Sequence, residues 1–187
     1  MRRRDTAAVC EAGPAQCSPA NAAFLAEIAA AQRQGLTALP GGLGLDAALA
    51  QTLQQQVGGD PWTDRTGVDR LRSELLVMRQ DERDNLFGLL RDHRRGTDPS
   101  ELWIAVVVAS ACLGSRHLWR DLGLASRDRL RELLSHNFPS LVARNTRDMR
   151  WKRFFYHELC ERGGGIACLA PSCDQCSSRP ECFGPET

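Results

Sequence analysis

Of the 24 basic residues in this 187-residue chain, all but Lys152 are arginine, and Tyr156 is the only tyrosine. The 23 acidic residues bring the formal net charge to +1. A general nucleic-acid binder is expected to be strongly basic, so this balance argues against nucleic acid as a partner. With one Tyr and six Phe there are too few rings for a broad base-stacking surface. No stretch of about twenty apolar residues exists, which argues against a membrane span. Met1-Arg2-Arg3-Arg4 opens like a signal segment, but Asp5, Glu11, Gly13 and Pro14 follow where an apolar run would be needed. The expectation is a cytoplasmic protein whose thiols are reduced. There is no phosphate-binding G-x-x-x-x-G-K-[ST], no H-E-x-x-H and no evident nucleophile-and-base pair.

What the chain does have is cysteine, unevenly placed. Four of its eight cysteines, Cys168, Cys173, Cys176 and Cys182, form C-x4-C-x2-C-x5-C within fifteen residues, interleaved with Pro, Ser, Asp and Gln. Such a loop has no core of its own and needs disulfides, zinc or an iron–sulfur cluster to close it. Disulfides fit a reduced compartment poorly. Zinc commonly uses two short knuckles separated by a longer loop, whereas here one C-x2-C knuckle is flanked by a lone cysteine on each side. That spacing suits the corners of a cluster better, although zinc stays open. Cys10 and Cys17 have no partner spacing, and Cys112 reads as a small core residue.

Periodicity predicts an all-α fold: a single helical domain with an irregular C-terminal cysteine-rich loop. Residues 1–17 read as a disordered leader, 18–165 as the helical domain and 166–187 as the cluster loop and tail. Helices are expected from Ala22 to Gln34 (starting at Ser18-Pro19), Asp46 to Val57, Val68 to Arg79, Asp81 to His93, Trp103 to Leu113, His117 to Leu122, Ser126 to His136 and Pro139 to Arg144. Three consecutive valines give Trp103–Leu113 some strand character, but no other segment alternates to pair with it. A buried central helix is the better reading. Asp81, Glu82, Arg83 and Asp84 read as a solvated helix face.

The last helix, expected to begin near Thr146 to Asp148, carries Trp151, Phe154, Phe155 and Leu159 on a core-facing side. Arg153, His157 and Cys160 lie on the opposite side, and Gly163-Gly164-Gly165 turns the chain into the cysteine loop. These three residues, with His117, are the candidates for an extra ligand or a hydrogen bond to a cluster. From Arg116 to Arg153 there are ten Lys or Arg against four Asp or Glu, a cationic stretch suited to an oxyanion or to an acidic partner.

Several family patterns can be laid against these residues. Cys168, Cys173 and Cys176 match the start of the plant-type ferredoxin pattern, but Cys182 follows too soon. Iron–sulfur DNA glycosylases have a similar compact quartet with a longer first gap, and Leu39-Pro40-Gly41-Gly42-Leu43-Gly44 is similar to their glycine hairpin with one residue too many. Their catalytic lysine has no counterpart. The cysteine tail, together with Asn145-x-x-Asp148-Met149-x-Trp151-Lys152-x-Phe154-Phe155-Tyr156 and His117-Leu118-Trp119-Arg120-Asp121-Leu122-Gly123-Leu124, resembles the NifQ family of nitrogen-fixation proteins over about the last ninety residues. The resemblance implies an iron–sulfur or molybdenum–iron–sulfur cluster on the four tail cysteines. It also implies a metal carrier rather than a turnover enzyme, receiving molybdate or a molybdenum–sulfur species. The nitrogenase cofactor-assembly scaffold and the nitrogenase iron protein are the implied partners. The competing expectation is a DNA-binding or glycosylase-like protein with a structural cluster.

Overall fold

The computed structural model describes residues 17–60, 62 and 67–163, so the cysteine quartet and Cys10 lie outside the described residues. The expected all-α class is observed, with helices α1 (Pro19–Arg33), α2 (Ala47–Val57), α3 (Val68–Met78), α4 (Gln80–Asp92), α5 (Ser100–Cys112), α6 (Leu118–Leu122), α7 (Arg127–Asn137), α8 (Pro139–Arg144) and α9 (Trp151–Gly163), and no strand among the described residues. None of these helices is long and apolar enough to cross a membrane.

The helix starts follow from local chemistry. The Ser18 side chain accepts from Asn21 N at 3.3 Å ahead of Pro19, Asp46 accepts from Leu49 N at 2.9 Å, and Ser126 accepts from Arg129 N at 3.1 Å. Cys17, assigned from sequence to the leader, is half-buried against the core beside Ser100, and burial pushes its thiol up to about 11.

At the centre stands α5, whose buried residues include Trp103, Ile104, Val107, Val108 and Cys112. It packs on α4 and α6, and α4 in turn packs on α9. In the first turn of α5, the buried carboxylate of Glu101 accepts from the backbone N–H groups of Gly96, Thr97 and Asp98 at 2.6, 3.0 and 3.0 Å, closing the turn that aims the helix. A 3-10 turn at Gly41–Gly44 also lies against α5. Gly44 has φ +80, and a Cβ there would come within 2.5 Å of Ser110 Oγ, so this close approach requires glycine.

The last helix begins later than the sequence suggests. Asn145 accepts from Met149 N and donates to Met149 O, both at 2.8 Å, and Asp148 adopts φ +51, so residues 145–150 form a side-chain-closed loop ahead of Trp151.

Candidate functional site

The chemistry centres on α9, the last element before the cysteine stretch. Its core side carries Trp151, Phe154 and Phe155, whose ring centroids lie 5.9 to 6.0 Å apart. Leu159, expected on that side, is only partly buried, and Glu158 is the buried residue there instead. Positions 151, 154, 155 and 158 make the i, i+3, i+4, i+7 stripe. Glu158 is accommodated because Arg144 of α8 donates to it at 2.6 Å.

A second side of α9 fastens it to the body through Lys152 and Tyr156, one turn apart. Lys152 Nζ donates to Gly114 O at 2.8 Å and to Asp121 Oδ2. Asp121 is 1% exposed and also accepts from Arg116 N at 3.0 Å and Arg116 Nε at 3.2 Å, while its own carbonyl accepts from Ala38 N at 2.9 Å. A Cβ on Gly114 would lie 2.5 Å from Asp121 Oδ2, so the glycine is what lets the carboxylate reach this position. Tyr156 Oη donates to Glu82, which also takes a two-pronged contact from Arg79 at 2.6 and 2.7 Å, and Arg79 donates onward to Leu113 O at 3.0 Å. Glu82 is thus a tertiary anchor, not the solvated residue its charged neighbours suggested. Burial and the Glu82 contact raise the Tyr156 hydroxyl pKa.

These contacts join the two stretches that carried the family resemblance. His117–Leu124 supplies Asp121 and Asn145–Tyr156 supplies Lys152, so residues 31 positions apart form one buried ion pair. Cys112 lies by this network, and burial pushes its thiol up to about 12 even though the nearby Lys152 ammonium pulls it down. The burial of Cys112, 3% exposed among apolar neighbours, is in keeping with its reading as a core residue.

Of the candidate residues outside the tail, Arg153, His157 and Cys160 share α9, and His117 stands apart at α6. His117 is half-buried at the N-cap of α6, Arg153 is exposed, and Cys160 is partly buried three residues before the end of α9. His157 Nε2 lies 3.8 Å from Glu161 Oε1, and His157, Glu158 and Glu161 offer ligand atoms within 4.8 Å of one another. Arg144, however, already neutralises Glu158 at 2.6 Å and reaches Glu161 at 4.0 Å. This is an ion-pair cluster of hard oxygen donors, unlike the soft thiolate set of the tail. Arg162 contacts His93 and lies 3.4 Å from Asp92, tying the end of α9 to the end of α4.

The cationic stretch is partly neutralised in the fold. Arg116 and Lys152 meet Asp121, Arg127 and Arg131 meet Asp148, Arg129 meets Glu27 and Glu132, and Arg144 meets Glu158. Six of the ten basic residues therefore have acidic partners, but of these partners only Glu27 and Glu158 come from outside the stretch, so a local excess of positive charge remains.

Comparison with known proteins decides the relationship. The NifQ family model matches residues 24–184, a span running from α1 through the cysteine quartet. The chain belongs to the NifQ family. It is 51% identical to Protein NifQ of Azotobacter vinelandii over 175 residues, covering 89% of this chain and 90% of that protein. It is 38% identical to Protein NifQ of Klebsiella pneumoniae over 158 residues, covering 80% and 90%. A Rhodobacter capsulatus Protein NifQ is 46% identical over 88 residues, covering 47% and 49%. No solved structure matches. NifQ membership gives the protein a role in nitrogen fixation and molybdenum metabolism, and the match extends well beyond the ninety residues that first suggested it.

Proposed function

We propose that this NifQ-family protein carries molybdenum on an iron–sulfur cluster and donates it to biosynthesis of the nitrogenase iron–molybdenum cofactor. The observation that carries the reading is the C-x4-C-x2-C-x5-C quartet, inside the matched family span and immediately after α9. Cys168, Cys173, Cys176 and Cys182 would hold the cluster, because thiolates are the donors that iron and molybdenum prefer in a sulfide environment. The chemistry supplied when the cluster is bound is retention and release of molybdenum. The chain's own part is to supply four thiolates from the stretch that follows α9 in sequence, a helix fixed by Lys152 and Tyr156. His117, Arg153, His157 and Cys160 are its proposed auxiliary groups, and the cofactor-assembly scaffold and nitrogenase iron protein its proposed partners.

Two observations weigh against a glycosylase-like reading. Gly42 and Leu43 of the glycine turn are buried against the core, so this backbone does not face a duplex. Lys152 is engaged by Asp121 and Gly114 O and is not poised as a nucleophile.

Metal and sulfide analysis of anaerobically purified protein tests the proposal. Iron, labile sulfide and molybdenum should be present in the parent protein and fall together in Cys176→Ala, along with support of cofactor synthesis in a reconstituted assay. Cys10→Ala should leave all of them near the parent level. Stoichiometric zinc without iron or sulfide, or normal molybdenum delivery by Cys176→Ala, would sink the proposal.

A further inference from the structure

Among the described residues, five of the six large apolar side chains left exposed sit on α3: Val68, Leu71, Leu75, Val77 and Met78, at 40, 65, 38, 72 and 83% exposure. The helix attaches to its own fold by another side. Leu76 is its one buried residue, Arg72 donates to Thr37 O at 2.6 Å and Leu39 O at 3.3 Å, and Gln32 donates to Asp69 at 3.1 Å. At 100° per residue, Asp69, Arg72 and Leu76 share the inward side, while Val68, Leu71, Leu75 and Met78 form a separate stripe. Their spacing of three, four and three residues is that of heptad a and d positions.

We infer that this stripe is a self-association surface, covered by α3 of a second copy of the chain packed in parallel. Three observations select that occupant. Val68 and Leu71 at the first a and d positions, followed by Leu75 and Met78 at the second, make an apolar seam that an identical helix can fill. The charges along α3 cancel, with Asp69 and Glu74 against Arg70 and Arg72, and Arg70 already pairs with Glu74 at 3.0 Å. A strongly acidic or basic partner would find no complementary field, whereas an identical surface meets no net repulsion. Glu74 falls at g, so antiparallel packing would set the two Glu74 side chains against each other while parallel packing keeps them on opposite edges of the seam; Arg79, already held by Glu82 and Leu113 O, takes no part.

The interface is small. An eleven-residue helix spans about 17 Å and buries a few hundred Å² per copy, below the roughly 800 Å² per partner of a standard stable interface. The helix is already held in its fold, so association does not have to order it. The expected assembly is a weak dimer in concentration-dependent exchange.

Sedimentation velocity on the full chain, purified anaerobically with reductant, tests this over about two decades of concentration up to roughly 100 µM. The parent protein should shift toward a dimer as concentration rises. The double variant Leu71→Glu/Met78→Glu should stay monomeric throughout, with unchanged helix content because both side chains are exposed. An equimolar mixture of parent and Glu74→Lys should associate no more tightly than the parent, because parallel packing keeps the two positions apart. A parent protein that is monomeric over the whole range overturns the inference and leaves the stripe to another protein or to this chain's own tail. Association that persists in the double variant also overturns it, and a mixture of parent and Glu74→Lys that associates more tightly than the parent overturns the parallel arrangement.

Discussion

α5 and α3 are both rich in apolar residues, yet they occupy opposite roles. Eleven of the thirteen residues of α5 are buried, with polar Ser100, Glu101 and Ser110 among them. Of the eleven residues of α3 only Leu76 is buried, and its Leu and Met side chains are among the most exposed in the described fold. Apolar content therefore does not set burial here. What separates the helices is packing on several sides: α5 is enclosed by α1, α4, α6 and the 3-10 turn, whereas α3 touches only α4 and that turn to any extent. The apolar surface of α5 stabilises the monomer, and that of α3 is left over for contact with something else.

The sharpest way to break this comparison is to remove the same kind of side chain from each helix. Ile104→Ala takes a fully buried group from the core and should cost about 2–5 kcal/mol. Leu71→Ala, at 65% exposure, should stay within about 0.5 kcal/mol. Denaturant unfolding of dilute protein, with both midpoints and slopes compared to the parent, checks the pair. A large loss at Leu71 would mean that α3 is covered within the monomer.

Next in size is the join between α5–α6 and α9. Lys152→Ala leaves the buried Asp121 carboxylate with Arg116 as its remaining cation, and the cost is expected near or below the lower end of the range for breaking a buried pair, about 2–3 kcal/mol. The same melts measure it. A variant as stable as the parent would show that Arg116 alone suffices, and that the anchoring of α9 rests on its aromatic side and Tyr156.

How far this architecture was legible depends on the range of the interaction. α5 could be read from its unbroken apolar run, and the core side of α9 from Trp151, Phe154 and Phe155, because those signals are local. The delayed start of α9 was not legible, since it depends on Asn145 bridging to Met149 around a left-handed Asp148. At the far end of the same stripe, residue identity favoured Leu159 over Glu158, and only Arg144 arriving from α8 makes the charged residue the buried one. Lys152 was conspicuous as the single lysine, but nothing local names Asp121 as its partner. The cationic stretch looked more open than it is for the same reason: Glu27 and Glu158 reach Arg129 and Arg144 only through tertiary packing. The cysteine quartet rests on spacing alone and lies outside the described residues.

The smallest expected effect is a pH dependence where α9 meets the end of α4. Burial lowers the pKa of His93 below its ordinary 6.5, and the Arg162 and Arg144 guanidinium groups lower it further, while Glu158 and Asp92 act in the opposite direction. His93 Nδ1 lies 3.0 Å from Ser140 Oγ, and Nε2 faces Arg162, a geometry that favours the neutral ring. The unfolded chain takes up the proton near pH 6.5, and the folded chain only at lower pH. Between those values the unfolded state binds more protons, so stability is full above about pH 6.5 and declines as the pH falls toward the folded value. Because the groups are partly exposed, the effect should be slight and should shrink with added salt. His93→Gln keeps a polar side chain without a titrating ring and should flatten this part of the stability–pH curve. If the variant and the parent lost stability in parallel between pH 7 and pH 5.5, the protons responsible would belong to other groups, and the end of α9 would not be sensitive to His93.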